Sequence, residues 1–425
     1  MRKKDLAWNE IFSKTNILKY IQKNGVYEIE ASTIKNLSKQ EPRIICKNDT
    51  IEDLPKIFRK HNLNILAIKN GRYMIFKDEN YKGFLTLPNY TKLSPTVLPY
   101  SKNKFQTLKI NERTSEKKAF KFASANNLFA AYFDKKVTLF ESVSDRFFCN
   151  PFTLILENRK FDVKSVQIEI DSLYEDLKNK QIYIFELKNT TAATFNLRQL
   201  YYPYQHFKSS CNTKPVTILV QFSNGIYYLT RVELTDNYYN YNIHETKAYV
   251  FENNIKKKED LEGLLNQEIF NPQGIPTPQA NDINKIFDLL KLFVSGKTIE
   301  KEDVTEFFKF DPRQTNYYTD SARYIDLINK QGKKFKLTQV GKQISKEPSF
   351  YKRRILISKQ ILKTPLFNDI MINVKQNSSF DKEYIIKRIM HYDAQIKSII
   401  TAKRRSSTII SWLKWIQKTI KQEVF

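Results

Sequence analysis

The sequence predicts a multidomain α/β chain with a strand-rich centre and a helical module on each side. Three observations carry this. The chain has 425 residues, beyond the roughly 250–300 at which a single core stops growing. β-Branched and aromatic runs concentrate between residues 137 and 234, while apolar residues before and after recur at helical spacing. Hydrophobic residues make up 41% and aromatics 13%, so 27% charged residues do not make this a disordered chain.

Residues 1–80 read as helix, strand, two helices and a hairpin. Trp8, Ile11, Ile17, Leu18 and Ile21 mark an apolar helical face, and Val26–Glu30 is a short strand. Helices follow near Ala31–Ser38 and Ile51–His61. Strands Asn64–Ile68 and Arg72–Phe76 are joined by Lys69-Asn70-Gly71, with Gly where a positive φ carries little steric penalty. That order is the order of a winged helix, with Arg43 beside its expected reading surface. A plain structural module would show the same order.

Residues 81–115, rich in Pro, Tyr, Asn and Lys, read as a connector. Residues 116–270 form the strand-rich unit. After a helical stretch to Phe133, strands are expected at Val137–Phe140, Phe152–Leu156, Val163–Asp171, Gln181–Lys188, Val216–Phe222 and Ile226–Leu234. Ser172–Lys180 is the expected turn, and a helix near Ala192–Phe207 completes the unit. Residues 271–280, with Asn271-Pro272-Gln273-Gly274-Ile275-Pro276-Thr277-Pro278, read as a linker. Residues 281–345 show helices at about Asp282–Val294, Glu302–Phe308 and Pro312–Lys330, then a basic hairpin through Lys333–Thr338, again the winged-helix order. Residues 346–425 read as a basic helical extension.

Charge narrows the partner. There are 71 Lys+Arg against 45 Asp+Glu, a formal net charge of +26. Residues 351–425 alone hold 16 basic and 5 acidic side chains. Clustered cations displace counterions from phosphates, so nucleic acid is the expected partner, with an anionic membrane surface as the lesser alternative. Genomic A+T bias also raises Lys, though it does not explain why Asp and Glu fail to keep pace. No run of about 18 apolar residues reads as a transmembrane helix. The start, Met1–Trp8, leads into an amphipathic segment rather than a secretory signal, so a cytoplasmic address is expected. Cys46, Cys149 and Cys211, like His61, His206, His244 and His391, are scattered, which argues against a disulfide framework, structural zinc and His-centred nuclease chemistry.

The chemistry-bearing stretch is Gln167-Ile168-Glu169-Ile170-Asp171 followed by Phe185-Glu186-Leu187-Lys188-Asn189. Strand side chains alternate faces, so Gln167, Glu169 and Asp171 share one face, as do Glu186 and Lys188. Adjacent strands would bring Asp171, Glu186 and Lys188 into one cluster. Two carboxylates suit Mg²⁺, a hard cation that prefers oxygen and retains water. Such a metal polarises a phosphate and lowers the pKa of bound water. A neighbouring ammonium can orient that water or offset developing charge. Taken alone, the triad also fits solvated strand ends.

These strands, with the Arg198-Gln199-Leu200-Tyr201-Tyr202-Pro203-Tyr204 helix and the C-terminal Lys403-Arg404-Arg405-Ser406-Ser407-Thr408 before Trp412-Leu413-Lys414-Trp415-Ile416, resemble the PD-(D/E)XK nuclease superfamily. Within it the likeness is to bacterial type II restriction endonucleases that combine a nuclease core with winged-helix domains. The core resemblance covers roughly residues 140–235, and Ile170 stands where the motif has Pro. The resemblance implies a restriction-endonuclease-like core with a mixed sheet flanked by helices within 116–270. It implies Mg²⁺-dependent cleavage of double-stranded DNA, with Mn²⁺ as the expected substitute, Asp171 and Glu186 as metal ligands and Lys188 beside the attacking water. It also implies a homodimer at least during cleavage, a bacterial cytoplasmic setting and a cognate DNA methyltransferase as genetic partner. Alternatives are another nuclease on the same core, such as a transposase endonuclease subunit or a repair nuclease, and a non-catalytic winged-helix regulator.

Accessory candidates are Gln167, Glu169, Gln199 and Tyr202. Glu169 is expected to balance Lys188 rather than bind metal, and Tyr202 to pack. Arg313, Gln314, Asn316 and Tyr317 open a helix whose first residues could meet base edges, where Arg suits guanine and Asn or Gln suits adenine. A capped, solvated helix start is the competing reading. Lys333, Lys334, Lys336, Arg353, Arg354, Lys403, Arg404 and Arg405 are assigned to phosphates, which position without specifying.

Overall fold

The computed structural model describes residues 2–90, 93–101, 106–110, 113, 115–134, 138–253, 260–272, 274–309 and 311–421. It is a multidomain chain of helices and mixed sheet. Two compact units divide it. The first comprises Met1–Leu93, Phe129–Gln221 and Tyr228–Lys247, the second Ser94–Leu128, Phe222–Tyr227 and Ala248–Phe425.

In the first unit, helices Lys3–Ser13, Ile17–Asn24 and Ala31–Ser38 enclose Trp8, Ile11, Ile17, Ile21 and Ile34. The indole N–H of Trp8 donates to the Ile45 carbonyl at 2.9 Å, which removes the one polar cost of burying that ring. Strand Val26–Glu30 pairs antiparallel with Arg72–Lys77, which pairs in turn with Leu63–Lys69 across the turn at Gly71.

The sheet that carries the charged strands runs in the order Leu139–Val143, Ser172–Asp176, Gln181–Lys188, Val216–Ser223, Ile226–Leu234, Tyr241–Phe251, Thr96–Leu98. Gln181–Lys188 pairs antiparallel with Ser172–Asp176 and parallel with Val216–Ser223. A parallel pair needs a long crossover. Helix Arg198–Ser210 lies in that crossover and buries Leu200, Tyr201, Tyr202 and Tyr204.

Several boundaries differ from the sequence expectation, among them the helix expected at Ile51–His61, which spans only Lys56–Lys60. Val163–Asp171 is not one strand: Arg159–Val163 pairs with Phe152–Leu156, Ser165 takes φ 53°, and Gln167–Glu169 pairs with Arg146–Phe148. Ser172–Asp176 is a strand rather than a turn, because Leu173 and Tyr174 are buried and its backbone is paired on both sides. The reversal is confined to residues 177–180, where Asp176 accepts the N–H groups of Lys178 and Asn179. The crossover helix starts at Arg198, since Thr194–Asn196 is drawn into pairing with Phe84–Thr86. Of the expected strand Val137–Phe140, Val137 lies outside the described residues, and the observed strand is Leu139–Val143.

In the second unit, Thr96–Leu98 pairs in parallel with Tyr249–Phe251. Helices Ile283–Leu290, Lys301–Phe308 and Pro312–Tyr324 precede the hairpin Ile328–Gln331 and Lys334–Leu337. The expected helix Pro312–Lys330 ends at Tyr324, because Asp326 turns left-handed at φ 53° and Ile328 enters the hairpin opposite Leu337. Ile299 adds a short third partner, exchanging two backbone hydrogen bonds with Phe335. Gly341 allows the next helix, Gln339–Lys346, to lie on this backbone, since a Cβ there would stand 2.0 Å from the Leu327 carbonyl oxygen. The expected linker residue Gln273 and residues 422–425 lie outside the described residues.

Residues 350–421 are four helices, and they pack into the same core as the preceding helices. In Ile399–Lys421, Ala402, Ile409, Trp412, Leu413 and Ile416 face inward. The indole N–H of Trp412 donates to the Ala280 carbonyl at 2.7 Å. Among the described residues, no helix is long and apolar enough to cross a membrane.

Candidate active site

All residues of the charged cluster belong to the first unit. Antiparallel register sets Ser172 opposite Phe185, which brings the preceding Asp171 to the stretch around Glu186. Asp171 Oδ2 accepts the Leu187 N–H at 2.8 Å, and its own carbonyl accepts from Ser144 Oγ at 2.8 Å. The aspartate is thus fixed at both its side chain and its backbone.

Glu186 sits mid-sheet, where both faces are covered, and is only 7% exposed. Lys188, two residues on, shares its face and places Nζ 2.5 Å from Glu186 Oε1. The same ammonium stands 5.7 Å from the centre of the Phe195 ring. Burial pushes the Glu186 carboxyl up to about 8; Lys188 opposes this, and the negative charges of Asp171 and Asp49 add to it. Desolvation therefore outweighs the ion pair, as expected for a carboxylate removed from water.

Asp49 was not foreseen. Its carboxylate accepts from Gln199 Nε2 at 2.9 Å. The loop that holds it is tied to the strand Thr194–Asn196: the Asn196 N–H donates to the Asp49 carbonyl at 2.8 Å and Asn196 Nδ2 to that of Asn48 at 2.6 Å. The Ile51 N–H reaches Thr194 Oγ1 at 3.1 Å. Local sequence gave no signal, because Lys47-Asn48-Asp49-Thr50 reads as an ordinary polar turn.

The donors available to a cation are carboxylate oxygens, the class that Mg²⁺ prefers. Asp171 and Glu186 would hold it, and a divalent charge would offset the burial, and the smaller repulsion by Asp171 and Asp49, that raise the Glu186 carboxyl. Among the described residues, no set of three or more His, Cys, Asp and Glu side chains is disposed to hold a metal ion. Two carboxylates with the remaining positions left to water and phosphate is an arrangement Mg²⁺ accepts. Asp49 enters through its charge and its grip on Gln199.

The other candidates fall into three groups. Gln167 is exposed, and Glu169 is bonded to Arg146 at 3.1 Å across the Gln167–Glu169 pairing instead of balancing Lys188. Tyr202 is a core residue whose hydroxyl donates to the Ala67 carbonyl at 2.8 Å. Arg43, Arg313, Gln314, Lys333, Lys334, Lys336, Lys403 and Arg404 are exposed, while Asn316 and Tyr317 are half-buried. Arg313 sits on the first turn of its helix, whose cap is Asp311, the acceptor of the Arg313 N–H at 3.1 Å.

Two expected phosphate contacts are turned inward. Arg354 is 4% exposed, lies 4.1 Å from the Trp415 ring centre and bonds Thr419 Oγ1 at 3.1 Å. Arg405 is likewise buried and donates to the Thr277 carbonyl. Neither offers its guanidinium to an external phosphate, because ring stacking and a buried carbonyl already hold it. Arg353 is half-buried and lines a cavity in the second unit.

Residues 5–75 match a family described as a domain of unknown function (DUF6996), residues 79–251 a second (DUF6997) and residues 285–421 a third (DUF7226). Asp171, Glu186, Lys188 and Gln199 fall within the second match and Asp49 within the first. No curated protein and no solved structure matches the chain.

Proposed function

We propose that the chain is a Mg²⁺-dependent endonuclease of double-stranded DNA, of the type II restriction class. One observation carries the reading: Asp171, at the bend leading into strand Ser172–Asp176, is bonded to the Leu187 N–H of the adjacent strand beside Glu186, with the Lys188 ammonium on Glu186. A divalent cation supplies Lewis-acid polarisation of the phosphate and a more acidic bound water. Asp171, held by the Leu187 N–H, keeps its carboxylate oriented. Burial makes Glu186 sensitive to any positive charge brought beside it. Lys188 can release Glu186 and turn its ammonium toward an incoming water or phosphate oxygen. Winged-helix order in both helical modules supports duplex DNA as substrate, with Ile299 beside the basic hairpin in the second. Arg313 and Gln314 are the proposed readers, and Lys333, Lys334, Lys336, Lys403 and Arg404 the phosphate contacts. Cutting two strands with one such cluster per chain calls for a homodimer during cleavage, and a restriction role calls for a companion DNA methyltransferase.

The closed Glu186–Lys188 pair favours a second reading, a DNA-binding regulator in which these charges are structural. Incubating supercoiled plasmid with the protein separates the two. Discrete fragments with Mg²⁺ or Mn²⁺ and none with EDTA are expected of the nuclease; intact plasmid with retained gel-shift binding supports the regulator.

A further inference from the structure

The second unit holds a cavity of about 570 Å³. Seven basic side chains line it and one acidic, Glu347. Three of the cations converge. Arg353 NH2 donates to the Asn224 carbonyl at 3.3 Å, and its guanidinium lies 6.0 Å from the Phe287 ring centre. Arg113, 8% exposed, stands 5.2 Å from the ring centres of both Phe122 and Phe222 and donates to the Ile110 carbonyl at 2.7 Å. The Lys291 ammonium is 4.6 Å from the Phe222 ring centre.

Of the three, Lys291 has its counter-charge in place, and the two arginines do not share it at ion-pair distance. Asp288, fully buried, accepts from Ser223 Oγ, from the Asn224 N–H at 3.0 Å and from Lys291 at 2.7 Å. Among the described residues neither Arg113 nor Arg353 has a carboxylate at ion-pair distance. Burial first, then the charge of Arg113, lowers Arg353 to about 10. Two polar atoms here are buried without a hydrogen-bond partner, Arg353 Nε and Asn224 Oδ1. Buried polar atoms without partners are rare and carry a cost. Gly225, at φ +83°, leaves the room: a Cβ there would stand 2.5 Å from Arg353 NH2.

Guanidinium forks match phosphate oxygens in pairs. A cavity of this size with apolar walls, including Phe287, Leu290 and Phe293, takes a small organic molecule rather than a bare ion. We propose that this cavity binds a nucleoside phosphate, with the phosphate at Arg113, Lys291 and Arg353 and the Asn224 amide facing the base or sugar. The source is a free nucleotide or the phosphorylated end of a nucleic-acid strand. This proposal does not rest on the nuclease reading, and its test is done in EDTA so that the two fail separately.

The full chain is titrated calorimetrically with dAMP, with deoxyadenosine, with inorganic phosphate and with a 5′-phosphorylated hexanucleotide. Saturable binding of dAMP or of the hexanucleotide is expected, at least ten-fold weaker for deoxyadenosine and for phosphate. Arg353→Met is expected to weaken it at least ten-fold and Lys342→Met, on the cavity rim, about three-fold, while Lys23→Met leaves it unchanged. Thermal melting checks that each variant is folded, and Lys342→Met serves if Arg353→Met is not. Binding by the hexanucleotide alone assigns the site to a strand end, and binding by dAMP to a free nucleotide. No binding by either, or binding equally strong in Lys342→Met and in folded Arg353→Met, overturns the proposal.

Discussion

The carboxylate cluster of the first unit and the cationic cavity of the second bury charge in opposite ways. In the first, Glu186 is buried mid-sheet, and its nearest neighbours include an ammonium two residues along the same strand face. In the second, guanidinium groups are stacked on rings, and the one fully buried carboxylate, Asp288, is already occupied by Ser223, Asn224 and Lys291. Rings and carbonyls can hold a cation without neutralising it. Carboxylate oxygens attract a cation, and a guanidinium left without a carboxylate attracts an anion. These opposite signs are why we propose a metal for the first cluster and a phosphate for the second.

The comparison is sharpened most by the residue that joins distant segments at the first cluster. Asp49→Asn removes one of the negative charges raising Glu186 and alters the bond to Gln199. Supporting residues around metal sites typically change metal affinity or activity by about 10–100-fold. A loss of that size in Mg²⁺-dependent cleavage, with DNA binding retained, is expected; an unchanged Mg²⁺ dependence would make Asp49 purely a loop anchor.

A smaller effect separates exposed basic residues from one another. Arg313→Ala should relax sequence preference, at about 1–3 kcal/mol for a lost base contact. Arg404→Ala should weaken binding to all sequences alike and reduce the salt slope by about one. Indistinguishable behaviour in competition binding would remove the division between readers and phosphate contacts.

The smallest effect concerns stability. The folded Glu186 carboxyl is raised from the ordinary value to about 8, so the metal-free fold favours the protonated form. Stability attached to this group is present below the ordinary carboxylate range and is lost as pH rises toward and through about 8. Glu186→Gln should therefore raise Tm by a few degrees more at pH 9 than at pH 5 in EDTA, on the order of 1–2 kcal/mol. An equal shift at both pH values would mean that the folded carboxylate is not destabilised by burial.

The sharing of one face by Glu186 and Lys188 was legible from strand alternation, whereas Asp171 reaches them from the bend before Ser172–Asp176 and not from the expected strand Val163–Asp171. The strand Ser172–Asp176 was hidden by its ends: Ser172, Glu175 and Asp176 resemble turn chemistry, and only Leu173 and Tyr174 signal burial. Asp49 was hidden by distance, since its partners Asn196 and Gln199 lie about 150 residues away and long-range loop contacts leave no periodic trace. Charge alone misassigned Arg354 and Arg405. Their helices read as basic, yet a guanidinium stacked on Trp415 or bonded to a buried carbonyl belongs to the core.

The central claim is tested most directly by plasmid cleavage with Asp171→Ala and Glu186→Ala beside the unchanged chain, in Mg²⁺ and in EDTA. The account predicts metal-dependent fragments from the unchanged chain and a loss of about a thousand-fold or more in each variant, with gel-shift affinity within a few-fold, as expected when groups serving transition-state charge are removed. Undiminished cleavage in both variants would contradict it.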